Sequence, residues 1–376
     1  MKIEKLELKN YRNIKELIIT PSDNINVIYG DNAQGKTNII EAISMFSGNR
    51  SFRSGKDSEL IRFGEKIAFS KLSFEKGGTE TEITISVSEK NKVIKKNEKI
   101  IKSSASLSDG FFCAVFSPNH LSLIKGGPAE RRNYLDGIIC QIKPQYYSAL
   151  LSYNKTLIQR NALLKDIKSC PDLLDTLDFW DENLIKLGVY ITKVRINFLK
   201  LLAPVSKEIY KGISDFKEEI DFSYYSSVFS DEVDFYCDEP RAAEIYRKKL
   251  KARRADDLTA CTTGIGIHRD DLIVNIGGMS ARSFGSQGQQ RSAVLALLLG
   301  FCDMFYKIKC EKPVILLDDV MSELDSKRRD YILNHVADSQ VFITCCSDSL
   351  FSSLLSGKIF LLKNGEIIEE KNINSR

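Results

Sequence analysis

Residues 30–37 read GDNAQGKT, a match to G-x-x-x-x-G-K-[ST], the pattern of a phosphate-binding loop. Gly30 and Gly35 let the backbone of Asp31, Asn32, Ala33 and Gln34 curl so that N–H groups face phosphate, and the following helix N-terminus adds positive potential. In that pattern Lys36 reaches the β- and γ-phosphates of a nucleotide and Thr37 offers a hydroxyl to Mg²⁺. Far along the chain, VILLDDV (residues 314–320) is an apolar run ending in two adjacent carboxylates. Asp318 is expected to hold the metal, directly or through water, and Asp319 to orient or deprotonate an attacking water. Alone, such a strand end is more often a capped loop; the phosphate loop upstream favours the metal reading. Between the two, Ser286-Gln287-Gly288-Gln289 stands immediately before a strongly apolar helix. By itself this is the pattern of a plain N-cap. Beside two nucleotide motifs it becomes a candidate for binding a γ-phosphate, including one held by a second subunit.

These residues need elements to position them. INVIY before the loop reads as a strand and NIIEAISMF after it as a helix. Short strands are predicted over residues 1–30, and residues 67 to about 93 read as an antiparallel hairpin around Gly77-Gly78. After Pro118 the period becomes helical, with Leu135, Ile138, Ile139 and Ile142 on one face. Leu184, Leu187, Ile191, Val194, Phe198, Leu201 and Val205 keep alternating spacings of three and four, the seam of a helix packing lengthwise on a partner. An internal helical hairpin is the expectation and an intermolecular coiled coil, which would need more heptads, the alternative; Pro204 should disturb the helix near its end. From Asp271 onward strand and helix patterns alternate and parallel α/β structure is expected to return, closing on an Asn364-Gly365 hairpin.

Composition narrows the class. The chain has 376 residues, 43% hydrophobic and 28% charged, which excludes collagen-like and largely disordered readings. A net charge of +4 is too small to imply nucleic-acid binding without clustering. Nine cysteines without CxxC pairs and three distant histidines (His120, His268, His335) support neither a zinc site nor a disulfide framework. MKIEKLELKNYRN lacks the apolar core of a secretory signal, and no run of about 18 apolar residues follows, so a cytoplasmic location without membrane contact is expected.

GDNAQGKT, SQGQQ, LLDDVMSELD and the short Tyr11-Arg12-Asn13 element together resemble an ABC-type ATPase head of the SMC-like kind. More narrowly, SPNHLSLIKGGPAERRNYLD (residues 117–136), GIHRDD (266–271) and FGSQGQQR look like the bacterial RecF family of DNA repair proteins, from end to end of the chain. The resemblance implies a P-loop α/β head, a mixed sheet with helices plus an antiparallel β subdomain, into which a mainly helical lobe is inserted. Residues 1–117 with 272–376 would form the ATP-binding lobe and 118–271 the helical one. It implies that ATP and Mg²⁺ sit between two heads, so that Ser286, Gln287, Gly288, Gln289 and, in SELD, Asp325 act across a homodimer. Arg12 matches an arginine that approaches nucleotide in related heads; a solvated turn arginine is the alternative. The implied function is ATP-dependent binding of single-stranded and duplex DNA at gaps, with RecO and RecR as partners in loading RecA and in supporting the SOS response. A weak DNA-stimulated ATPase would serve as its timer.

Length bears independently on this, because Lys36 and Asp318 are only 282 positions apart (318 − 36), leaving no room for a long coiled coil. A 25-residue helix spans only about 38 Å, a short arm. The chain departs from the family pattern in several places: Ile267 stands where proline is usual, no acid stands near His120, and Thr344-Cys345-Cys346 replaces the switch histidine of many ABC ATPases. Slow hydrolysis is therefore expected, and Asp rather than Glu at position 319 points the same way.

Two basic clusters are candidates for DNA phosphates: Lys90, Lys92, Lys95, Lys96, Lys99 and Lys102, and Arg247, Lys248, Lys249, Lys251, Arg253 and Arg254. A solvated sheet edge and an ordinary helix face are the alternatives, and without interleaved aromatics only backbone recognition is expected. Two rival functions remain: a structural SMC-like head that holds DNA ends, and a P-loop small-molecule kinase, which would need an arginine-bearing lid and no SQGQQ segment.

Overall fold

The computed structural model describes residues 1–48, 51–53, 55–101, 110–229, 238–346 and 356–373. The strands, in chain order, are β1 (Lys2–Tyr11), β2 (Ile14–Ile19), β3 (Ile25–Tyr29), β4 (Ile67–Lys76), β5 (Thr79–Ser88), β6 (Lys92–Lys96), β7 (Lys99–Ile101), β8 (Cys113–Phe116), β9 (Ile220–Tyr225), β10 (Asp271–Ile276), β11 (Met279–Ser280), β12 (Val314–Asp318), β13 (Val341–Cys345), β14 (Gly357–Lys363) and β15 (Glu366–Ile373). Two compact units emerge: Met1–Leu121, Val205–Glu219 and Ser286–Arg376 in one, Ser122–Pro204 and Ile220–Gly285 in the other.

The first unit holds two six-stranded sheets, an antiparallel one in the order β2-β1-β4-β5-β6-β7 and a mixed one in the order β15-β14-β3-β13-β12-β8. In β1 the buried residues Ile3, Leu6 and Leu8 depart from strict alternation between Ile3 and Leu6, where a bulge between Ile3 and Lys5 absorbs the extra residue. The mixed sheet is parallel except at its β14–β15 edge. Every residue of β12 and β13 is buried, as expected of parallel strands covered on both faces. The helix Lys36–Met45 packs on β12 and β13. Its Ile39 and Ile43 join Leu6 and Leu8 of one sheet and Leu316, Phe342 and Phe360 of the other in one core. Thus the phosphate loop is clamped between its own strand and a helix buried on both sheets.

The second unit is helical, with a small antiparallel sheet in the order β11-β10-β9. Two of its helices, Pro128–Ile142 and Pro144–Asp166, begin with proline, which has no N–H to leave unpaired in a first turn. Ile185 and Val189 pack with Ala242, Tyr246 and Leu250, and a Cβ on Gly188 would come within 2.6 Å of the Tyr246 ring. The core also contains charge. Arg160 is fully buried and donates to Asp181 at 2.7 Å and to Asp257 and Thr263 at 2.8 Å. Removing Arg160 leaves the buried Asp257 without its cation, while Asp181 keeps Arg254. Arg160→Met should therefore cost about 3–5 kcal/mol of stability, measurable by chemical denaturation.

Three differences from the sequence reading have clear causes. The helical unit ends at Gly285 and begins at Ser122, rather than spanning 118–271, because β10 pairs antiparallel with β9 from Asp271↔Tyr225 to Ile276↔Ile220. Parallel structure returns only with β12. Pro204 does not end its helix, which runs unbroken from Leu177 to Ile213. Ile209, Tyr210 and Ile213 beyond it are buried, and Ser206 lies so close to Gly300 of the helix Gln287–Lys309 that a Cβ there would stand 2.3 Å from its Oγ. That packing outweighs the hydrogen bond Pro204 cannot make. Finally, the seven-residue seam holds at Leu184, Ile191, Val194 and Phe198 but leaves Leu201 58% exposed while Leu202 is buried. A straight helix of 3.6 residues per turn drifts away from a 3.5 repeat.

Candidate nucleotide site

The phosphate loop follows β3 and turns on three residues with positive φ: Gly30 at 157°, Ala33 at 64° and Gly35 at 109°. Glycine is required at the first for space as well, since a Cβ there would sit 2.3 Å from the Leu362 carbonyl oxygen. The loop is braced from outside. Asn13 Nδ2 donates to the Ala33 carbonyl, Asn38 Nδ2 donates to Asn13 Oδ1, and the Asn364-Gly365 turn donates backbone N–H groups to the side chain and carbonyl of Gln34. Lys36 is 7% exposed, and its ammonium donates to the carbonyls of Gly30 (2.5 Å) and Asp31 (2.8 Å) and to Cys346 Sγ (3.2 Å). It therefore spans the mouth of the loop, where phosphate oxygens would exchange with those carbonyls.

The two acids arrive on β12, whose Leu317 and Asp318 lie in register with Ile343 and Thr344 of β13. Asp318 Oδ1 accepts from Thr37 Oγ1 at 2.9 Å and from Thr344 Oγ1 at 2.7 Å. Burial pushes its carboxyl up from the ordinary range; the charge of Asp319 adds to that, and the two hydroxyls oppose it. A hydroxyl and a buried carboxylate, both hard oxygen donors and 2.9 Å apart beside a phosphate loop, fit Mg²⁺. Asp319 leaves the strand at φ 52°, outside the ordinary region for a residue with a side chain. Its N–H donates to Thr344 Oγ1 at 2.9 Å and its carboxylate accepts from Ser322 Oγ at 3.0 Å. One hydroxyl, Thr344, thus holds both acids.

Arg12 is held in a two-pronged pair. Its Nε and Nη2 each lie 2.7 Å from Glu41, which is fully buried on the helix after the loop, and Nη1 donates to the Glu59 carbonyl. It is neither a loosely solvated arginine nor one presenting its fork outward.

Ser286-Gln287-Gly288-Gln289 begins the helix Gln287–Lys309 as a capping box: Ser286 Oγ accepts from the Gln289 N–H, and Gln289 Oε1 accepts from the Ser286 N–H. Ser286 is exposed and its hydroxyl hydrogen is not used by the cap. Asp325 caps a second helix, Ser326–His335, by accepting from the Arg328 N–H. The two caps adjoin, since a Cβ on Gly288 would stand 2.9 Å from Arg328 Nη1. The Arg328 guanidinium thus stands beside the first turn of the helix Gln287–Lys309, adding positive charge where an anion brought from outside could bind.

The basic clusters are partly neutralised. Lys92 lies 3.5 Å from Asp57 and Lys95 3.9 Å from Glu98, while Lys96 and Lys99 share the same β6–β7 hairpin. Lys102 lies outside the described residues. In the second cluster Arg247 forks onto Glu182, Lys248 pairs with Glu244, Arg253 approaches Asp256, and Arg254 bonds Asp178 and Asp181; Lys249 and Lys251 are exposed.

Sequence reasoning did not single out Asn13, Glu41 or Thr344 as site residues. Thr344 and Cys346 stand out in the sequence only as occupying the place of a histidine. Their partners lie up to 314 positions away, so no local pattern marks them.

The described fold and site define an ABC-type ATPase head. The profile of the RecF/RecN/SMC N terminal domain family matches residues 2–363. The chain is 41% identical over 359 residues to the DNA replication and repair protein RecF of Acetivibrio thermocellus, covering 94% of this chain and 95% of that one. It is 40% identical to the protein of that name from Agathobacter rectalis, over 98% of this chain and all of the other. The chain belongs to the RecF family. A solved structure described as the recombination mediator protein RecF with ATP, in the RecFOR pathway, superposes with a TM-score of 0.90 at 37% identity, over 99% of this chain and 97% of that one. An Smc head bound to the C-terminal winged-helix domain of ScpA shares the fold, at a TM-score of 0.58 and 17% identity over 100% of this chain and 98% of that one.

Proposed function

We propose that this chain is an ATP-binding protein of DNA replication and repair that dimerises on ATP and acts at gapped DNA. The observation that carries the reading is the meeting of Lys36, Thr37 and Asp318 at the carboxyl ends of parallel strands, where open α/β sheets bind ligands. Lys36 binds the β- and γ-phosphates, the loop N–H groups cradle them, and Thr37 with Asp318 holds Mg²⁺. The ion, when bound, would neutralise charge on the phosphates. Asp319 orients the attacking water, and its short side chain, already shared with Ser322, makes hydrolysis slow. Arg12 would approach the nucleotide by giving up Glu41.

The second subunit enters through Ser286, Gln287, Gly288, Gln289 and Asp325, whose two adjoining helix caps would meet the γ-phosphate bound by the partner. ATP occupancy then sets dimerisation, and slow hydrolysis sets its lifetime. The names of the relatives support a place in replication and repair, and the RecFOR pathway of the ATP-bound relative supports RecO and RecR as partners. Single-stranded and duplex DNA would be the substrate, with RecA loading and the SOS response downstream. Lys92, Lys95, Lys96, Lys248, Lys249, Lys251, Arg253 and Arg254 are the candidates for DNA phosphates, of which Lys96 and Lys249 fit best because no acid is paired with them among the described ion pairs, whereas Lys251 lies near Asp178 and Glu182.

Sedimentation velocity tests this. Wild type is expected to be monomeric alone, dimeric with Mg-ATP, and more tightly dimeric when gapped duplex is added. A monomer under all three conditions would overturn the proposal.

A further inference from the structure

The capping box at Ser286 is tied to a residue that no nucleotide motif includes. Gln289 spends its side-chain oxygen on the Ser286 N–H at 2.7 Å and its side-chain NH2 on Glu218 Oε1, also at 2.7 Å. The other oxygen of Glu218 accepts from the Tyr210 hydroxyl at 2.7 Å. Tyr210 is fully buried near the end of the helix Leu177–Ile213, and burial together with Glu218 raises its pKa, so the phenol keeps its proton and remains a donor. Tyr210, Glu218, Gln289 and Ser286 form one hydrogen-bonded series in which every connecting atom has its partner.

The direction of that series has a consequence for Ser286. A glutamine amide has an acceptor end and a donor end, and either can face a neighbour. Only one orientation closes the capping box, because the flipped amide would point its NH2 at the Ser286 N–H, donor against donor. An ionised carboxylate accepts and cannot donate, so Glu218 draws the NH2 end to itself and leaves the oxygen for Ser286. A charge-assisted bond of this kind is worth more than a neutral one, and here it is anchored through a buried tyrosine.

We propose that Glu218 is a positioning residue for this segment: through Gln289 it fixes the turn that presents the Ser286 hydroxyl and the Gly288 backbone to nucleotide held by a second copy of this chain. The inference rests on the reading that Ser286–Gln289 acts across an ATP-dependent dimer. Glu218 has no part in holding a subunit's own ATP, since no hydrogen bond among the described residues joins Lys36, Thr37 or Asp318 to the four residues in the series. An acid would moreover repel phosphate, and its influence passes through the neutral amide instead.

The two functions therefore separate in experiment. For Glu218→Ala, ATP binding to dilute monomer, read with a fluorescent nucleotide, should stay within about twofold of wild type, whereas the Mg-ATP dimer should dissociate at least about tenfold more readily, because a symmetric dimer uses the segment twice. Glu218→Gln keeps the shape and one acceptor but is neutral and can turn its own NH2 toward Gln289, so it should recover only part of the loss. Tyr210→Phe, which removes one anchor of the carboxylate, should weaken the dimer by less, and it tests the same link should Glu218→Ala fail to fold. Hydrogen exchange of the Ser286 N–H should quicken in Glu218→Ala. If wild type dimerises on ATP and Glu218→Ala does so equally well, the role of Glu218 is overturned while the dimer reading stands. A wild type that stays monomeric overturns both.

Discussion

Lys36→Ala is expected to weaken ATP binding by at least about a hundredfold without unfolding the protein. The ammonium is one of few groups in the site that can follow the β- and γ-phosphates, and each charge-assisted bond it makes contributes about 1.5–3 kcal/mol. Two such bonds correspond to about 3 kcal/mol or more, a factor of at least about 100 in Kd. The fold should survive because the partners of Lys36 are the Gly30 and Asp31 carbonyls and the Cys346 thiol at the loop mouth, where water can take its place, rather than a buried carboxylate. Titration calorimetry with Mg-ATP, paired with a thermal melt, separates the two effects. Binding within a few-fold of wild type, on a folded variant, would remove the nucleotide mechanism altogether.

Ser286→Arg should give the opposite pattern: a monomer that binds ATP as wild type does but no longer dimerises on it. Ser286 is exposed at the first turn of its helix and touches none of the groups in its own subunit's phosphate loop. A long cation placed there collides with whatever faces the helix N-terminus and adds like charge to the positive end of the helix. The substitution also removes an N-cap, which costs about 1 kcal/mol of stability. Ser286→Ala supplies that loss without the bulk and should dimerise measurably, though more weakly than wild type. Sedimentation of the three proteins with Mg-ATP decides the matter, and a fully dimeric Ser286→Arg would mean that the segment faces solvent.

How far the residues revealed this in advance depended on the range over which each constraint acts. GDNAQGKT, the Asp-Asp strand end and the Asn364-Gly365 turn were legible because each is local: the turn has φ 53° and 79° at its two residues, values that asparagine and glycine tolerate. The bulge in β1 could be suspected from the uneven spacing of Ile3, Leu6 and Leu8. The unit boundary at Gly285 could not. β10 alternates like any half-buried strand, and nothing in it says that its partner is β9 rather than a strand of the ATP-binding sheet. Pro204 misled for a similar reason, since a local rule was overridden by packing on Gly300, nearly a hundred positions away.

By itself the amino-acid order determined the phosphate-loop pattern and the pair of acids at 318 and 319, that a strand and a helix flank the loop, and that SQGQ begins a helix. These follow from backbone freedom, side-chain chemistry and short-range periodicity. Only the tertiary structure decided that β13 lies between β3 and β12, so that Thr344 reaches both acids and Cys346 reaches Lys36. It alone closed Arg12 onto Glu41, and it alone joined Tyr210 and Glu218 to the cap at Ser286. Such contacts depend on strand order and helix packing, which are set by the burial of the whole core and leave no mark in the spacing of the residues that finally meet.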